Sequence, residues 1–145
     1  MSIVTIAVEG VPVPQGSMKY IGNGRMISDN PKLAAWRKKI RCAPVPDLSS
    51  KHWPTTRPVA VELTFRMPRP RSHYGSGRNA GTIKARYVDA VPAVRPDLDK
   101  LCRAVLDAIT GGLIKDDGQV VKLSTVKRYA TTTEPGMEVT ITPLD

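Results

Sequence analysis

Residues 3–8, Ile-Val-Thr-Ile-Ala-Val, are rich in the β-branched types that favour a strand, in which every second side chain goes to one face. Residues 10–16, rich in Pro and Gly, end it. Two short strands are predicted within 17–28, turning on Gly22-Asn23-Gly24, residue types that accept the positive φ of a tight hairpin. The spacing then becomes helical. Asn30 is a candidate N-cap and Pro31 suits the first helical position; from there to about Cys42, Leu33, Trp36 and Ile40 share one side, opposite Lys32, Arg37, Lys38, Lys39 and Arg41. Four prolines in 43–58 mark a connecting loop, and 59–65 alternates as a strand. The clearest helix spans 97–109, where Leu98, Leu101, Cys102, Val105, Leu106 and Ile109 form a buried stripe that Gly111-Gly112 terminates. Strands over 119–129 and 137–142 complete the pattern. The order strand, hairpin, helix, strand, helix, strand, strand predicts a single α+β or mixed α/β domain, with a mixed sheet and both main helices on one of its faces.

One stretch breaks this pattern. Residues 66–95 hold seven Lys or Arg against one acid, Asp89, with little periodicity, and read as a long mobile basic loop. Within it, Arg69 and Arg71 lie among prolines beside His73 and Tyr74, a mixture suited to phosphate contact and to stacking on an unpaired base. A surface loop without ordered contacts is the competing reading.

Composition narrows the partner. A chain of 145 residues fits one domain, and its net charge of +9 favours a polyanion over a small neutral ligand. No apolar run is long enough to span a membrane, and the first residues lack the pattern of a signal peptide, so a cytoplasmic protein without membrane contact is expected. Cys42 and Cys102 are far apart, and buried free thiols are expected; with His52 and His73 isolated as well, any metal should be a hard cation held by oxygen. There is no Gly-x-x-x-x-Gly-Lys-Ser/Thr loop, hence no expectation of a nucleotide cofactor.

Against this basic background, five of the thirteen acids fall within 97–117. Carboxylates held close together repel unless a proton or cation is shared between them. Asp99, Arg103 and Asp107 recur every four residues on one exposed helix face, which by itself describes a solvated ion-pair ladder. Asp97 follows Pro96 in extended chain, two residues before Asp99, so the two side chains can project together. Asp116 and Asp117 arrive in the turn after the helix. If the strand that follows runs beside the helix start, one of them joins Asp97 and Asp99 in a three-carboxylate site for Mg²⁺ or Mn²⁺, able to cut a phosphodiester, with Arg103 placed to offset charge on the phosphate.

At these residues the chain resembles the RusA family of Holliday junction resolvases, DNA endonucleases common in phages and prophages. The signature is Arg95-Pro96-Asp97-Leu98-Asp99-Lys100-Leu101, then Asp107-Ala108-Ile109-Thr110, then Asp116-Asp117-Gly118-Gln119-Val120. The resemblance implies a small homodimer of mixed α/β fold, dependent on Mg²⁺ or Mn²⁺, that nicks four-way DNA junctions symmetrically. It places Asp97, Asp99 and Asp117 at the family's metal-binding aspartates, with Asp116 as the alternative third ligand, and it sets Arg103 where the family has a functional lysine. An arginine keeps the charge but not the ability to give up a proton near neutral pH. Lys100 and Lys115 stand nearby and, with Lys19 and Arg25 of the hairpin and Arg69 and Arg71 of the loop, make up the expected DNA contacts. Two other readings share this sequence: a basic nucleic-acid-binding module without catalysis, and a metal nuclease for other branched DNA.

Overall fold

The β-branched run at the start of the chain becomes strand β1 (Val4–Glu9), with Val4, Ile6 and Val8 buried and the residues between them exposed. This computed structural model describes residues 3–16, 18–28, 31–45, 53–131 and 134–145. Strands β2 (Met18–Gly22) and β3 (Arg25–Ser28) form the hairpin as a separate two-stranded sheet, and Asn23 and Gly24 turn it with φ of 51° and 71°. Helix α1 (Pro31–Arg41) buries Leu33, Trp36 and Ile40 and exposes Lys38, Lys39 and Arg41. Its expected cap, Asn30, lies outside the described residues.

Four strands make the main sheet, in the order β1, β6 (Gly136–Pro143), β4 (Val59–Met67), β5 (Val120–Tyr129). β6 pairs antiparallel with both β1 and β4, whereas β4 and β5 are parallel, with Phe65 opposite Lys127. A parallel pair needs a long crossover, and helix α2 (Leu98–Ile109) lies within it. In β4 and β6 the alternating residues Val61, Leu63, Phe65, Val139 and Ile141 are buried, and they join the apolar stripes of α1 and α2 in one core. The other face is polar: Arg66 reaches across strands to Glu138 at 2.8 Å. This is the one-sided α+β architecture that the sequence pattern predicted.

Two expectations change. Cys102 is buried, but Cys42 is exposed, because it sits one residue beyond α1 and off the stripe of positions 33, 36 and 40. Residues 66–95 hold no long element, yet they carry 3₁₀ turns at Arg71–His73, Gly77–Asn79 and Ala85–Tyr87. Backbone bonds from Gly75 to Thr82 and from Lys84 to His73 fold the segment back on itself. The buried His73 ring stacks on Tyr87 at 4.1 Å and meets the edge of Tyr129, tying the segment to the end of β5. His52 lies outside the described residues.

Candidate active site

Proline at 96 cannot continue a regular ladder, and the chain leaves it extended, so Asp97 takes the N-cap position of α2 with φ −69° and ψ 138° while Asp99 enters the first turn. Both side chains are exposed. Asp97 makes no capping bond to the helix; its carboxylate is 3.8 Å from the Lys100 ammonium. Among the described residues no ion pair reaches Asp99. These two carboxylates therefore stand together at a helix start, where the unpaired N–H groups and the helix dipole favour negative charge.

An open cleft of about 460 Å³ adjoins Asp97, lined by Pro14, Gln15, Gly16, Arg95, Pro96, Asp97 and Lys100. The Gln15 N–H donates to the Lys100 carbonyl, so the Pro-rich segment after β1 is fastened to the first turn of α2. On the other side, the Lys127 ammonium donates to the carbonyls of Val94 at 2.6 Å and Pro96 at 2.8 Å. This lysine was not singled out in the sequence. The available signal was a cation at a position of β5 that alternation places on the helix side.

The outer face of α2 is an ion-pair ladder in part. Arg103, with 63% of its side chain exposed, lies 3.4 Å from Asp107, and Asp107 also pairs with Arg37 of α1 at 3.0 Å. Gln15 accepts a further bond from Arg37. Asp107 thus fastens the two helices to each other, and Arg103 is one turn from Asp99 with its charge partly matched.

Asp117 is elsewhere. The turn Asp117–Gln119 precedes β5 and is capped through Asp116, whose N–H donates to Gln119 Oε1 at 2.8 Å. The Gln119 amide donates to the carbonyls of Thr55 and Arg57, and Thr55 bridges to Ile114, just beyond the end of α2. β5 runs back along α2: Thr125 meets Cys102 at 3.3 Å, and Lys127 meets the segment before Asp97. The strand start therefore lies by the helix end, the reverse of the arrangement that would return Asp117 to Asp97 and Asp99. Twelve helical residues at about 1.5 Å each put roughly 18 Å between the two ends. Among the described residues no three acids, cysteines or histidines within this chain are grouped to hold a metal.

The expected DNA contacts are dispersed. Lys19 lies on β2 and Arg25 is exposed at the hairpin turn; Lys100 and Lys115 are exposed at opposite ends of α2. Arg71 is exposed, whereas the half-buried Arg69 donates to the carbonyls of Ala130 and Tyr87 and to His73 Nδ1 and lies over the Tyr129 ring. Burial, with Arg69 and Lys84 close by, lowers the pKa of His73. Burial raises that of the Cys102 thiol, with the charge of Asp99 adding to it and its bond to Thr125 opposing, so this thiol is unsuited to nucleophilic work. Among the described residues no helix is long and apolar enough to cross a membrane.

Comparison with known proteins accounts for nearly the whole chain. The family model described as endodeoxyribonuclease RusA matches residues 9–142. The uncharacterized protein YqaN of Bacillus subtilis (strain 168) is 32% identical over 145 residues, covering 97% of this chain and 96% of that one.

Proposed function

Because the chain belongs to the RusA endodeoxyribonuclease family, we propose that it is a metal-dependent nuclease that resolves four-way DNA junctions by paired nicks, with Asp97 and Asp99 at the reacting phosphate. The observation that carries this reading is the exposed Asp97–Asp99 pair at the start of α2, beside a cleft whose rim carries Arg95 and Lys100. An acidic pair in a chain of net charge +9 repels DNA locally unless a cation joins it.

The donor set fits a hard divalent ion. Mg²⁺ is commonly held by one or two carboxylates, retained waters and substrate phosphate oxygens, and two adjacent exposed aspartates supply the protein's share. Bound there, Mg²⁺ or Mn²⁺ would lower the pKa of the attacking water and stabilise the leaving 3′ oxygen. The remaining work belongs to side chains. Arg103 offsets charge on the phosphate without giving up a proton, and Lys100, 3.8 Å from Asp97, is a group able to do so. Lys127 holds the 94–96 segment and with it the position of Asp97. Exposed cations of the hairpin and the 66–95 segment, Arg25, Arg71 and Arg86, supply phosphate contacts away from the reaction. Paired cuts need two sites, which a two-fold homodimer provides.

The test is a panel of four-way junction, fork, flap, linear duplex and RNA at fixed salt, with Mg²⁺ or Mn²⁺ titrated, since a basic protein binds all of these when salt is low. Nicking that needs the metal and prefers the four-way junction is expected. Binding without metal-dependent nicking of any substrate would replace this reading with that of a non-catalytic binding module, and preference for a flap or fork would move the substrate while keeping the chemistry.

A further inference from the structure

Beside the cleft at Asp97 lies a second hollow, of about 440 Å³, and its walls are rich in proline. Pro12 and Pro14 come from the segment after β1, Pro68 and Pro70 from the segment after β4, and Pro92 and Pro96 from the approach to α2. The Tyr129 side chain, at the end of β5, lies among them. Two further lining residues are apolar and open to solvent: Val11 is 55% exposed and Val94 64% exposed. Among the described residues, the charged groups that line the hollow are Lys32 and Arg95, both cations. Pro14, Arg95 and Pro96 line this hollow and the cleft at Asp97 alike, so the two are continuous.

The walls are braced from several sides. The Lys127 ammonium donates to the carbonyls of Val94 and Pro96, and the Ala130 N–H donates to the Met67 carbonyl at 2.8 Å. The Tyr129 ring is fixed in turn by its edge contact with His73 and by Arg69, 5.3 Å from the ring centre. A hollow held in this way stands ready before a ligand arrives, so little ordering is left to do on binding. Its chemistry is narrow. Proline has no N–H to donate, and these walls offer ring faces and carbonyls rather than donors for the edge of a base. Such a surface takes a flat ring by contact with its faces. The volume is at the small end of ligand sites, room for one ring system with its sugar. A base still stacked in a duplex cannot enter, because it must first leave its partner and its neighbours.

We propose that this proline-walled hollow takes one unpaired base of the DNA, from the nucleotide next to the reacting phosphate, with Lys32 and Arg95 on the backbone at its mouth. The inference rests on the nuclease reading above. A branch point is where a base leaves its stack most easily, so a hollow that opens into the cleft at Asp97 couples the branch to the carboxylates. It also gives the 66–95 segment, which supplies Pro68, Pro70, Pro92 and Val94, a task beyond phosphate contact.

The test uses the whole protein, without metal, at concentrations that saturate four-way junctions by mobility shift. The junctions carry 2-aminopurine, whose fluorescence rises when it leaves the stack, at each position flanking the branch point in turn. A rise of at least about threefold at one position is expected for the wild type. Variants of equal charge separate the hollow from the surface around it. Val94→Glu and Val11→Glu each put a carboxylate at its mouth, whereas Val91→Glu puts one at a position 67% exposed and outside the lining. The first two should lose the rise and the third keep it. Equal loss in all three would mark general repulsion and overturn the proposal. No rise at any position would mean that the hollow holds something other than a base, such as a peptide segment, and would overturn it as well. Nicking is then scored with Mg²⁺ added. The rise without metal-dependent nicking would remove the carboxylate reading and leave the base site standing, and nicking without the rise would do the reverse.

Discussion

Replacing Asp107 by Ala should loosen the contact between α1 and α2. Its carboxylate lies 3.0 Å from Arg37 and 3.4 Å from Arg103, and the two arginines differ in exposure, 23% against 63% of the side chain. An exposed pair one helical turn apart contributes about 0.3–0.5 kcal/mol. Breaking a fully buried pair costs about 3–5 kcal/mol, and a single hydrogen bond to a charged group is worth about 1.5–3 kcal/mol. Arg37 lies between these limits and keeps Gln15 as an acceptor, so Asp107→Ala should cost about 1.5–2 kcal/mol, nearly all of it through Arg37. For a domain of this size that lowers Tm by about 3–8 °C. Urea and thermal unfolding of Asp107→Ala, Arg37→Met, the double variant and Arg103→Ala, all at one protomer concentration, measure it. A coupling of about 1 kcal/mol between Arg37 and Asp107 is expected, with Arg103→Ala costing under ~0.5 kcal/mol. If Arg103→Ala costs as much as Arg37→Met, or the coupling is below ~0.3 kcal/mol, the argument from burial is wrong.

Two further outcomes follow from the buried groups. A thiol reagent should modify Cys42 at once in the native protein and Cys102 only on unfolding; equal rates would contradict the packing of Cys102 between α2 and β5. His73 has a lowered pKa in the folded protein, so the unfolded chain takes up the proton first as pH falls. Its contribution is complete above the ordinary value of 6.5 and declines as pH drops from there toward the lowered value, and His73→Gln should flatten the loss of stability over that window. An unchanged slope in denaturation at pH 7 and pH 5 would count against it.

Periodicity made most of the fold legible, because strands and helices that bury one face must alternate with periods of two and 3.6. Strand β1, the hairpin at Asn23-Gly24, the stripe of α2 and the strands after it all formed within a residue or two of their predicted bounds. The extended backbone at Asp97, just before α2, was legible as well, since Pro96 restricts the chain locally. The direction of β5 along α2 was not, because it depends on β4 and β5 being parallel, a pairing of distant residues. Once that pairing is known, a strand, helix, strand crossover must return the helix against the strands, and the start of β5 falls by the end of α2. The bridge from Asp107 to Arg37 and the hold of Lys127 on Pro96 were hidden for the same reason: each joins elements far apart in sequence. Cys42 departs from the general tendency of free thiols to be buried because it lies past the stripe of α1.

The central claim is that the carboxylates at the start of α2 perform the chemistry. The direct measurement compares wild type and Asp97→Asn on a labelled four-way junction, scoring binding by mobility shift and nicking in the presence of Mg²⁺. Asp97→Asn should bind the junction as wild type does and leave its strands uncut, because an exposed carboxamide keeps the shape of the site but not its charge. Nicking by Asp97→Asn at the wild-type rate would contradict the account.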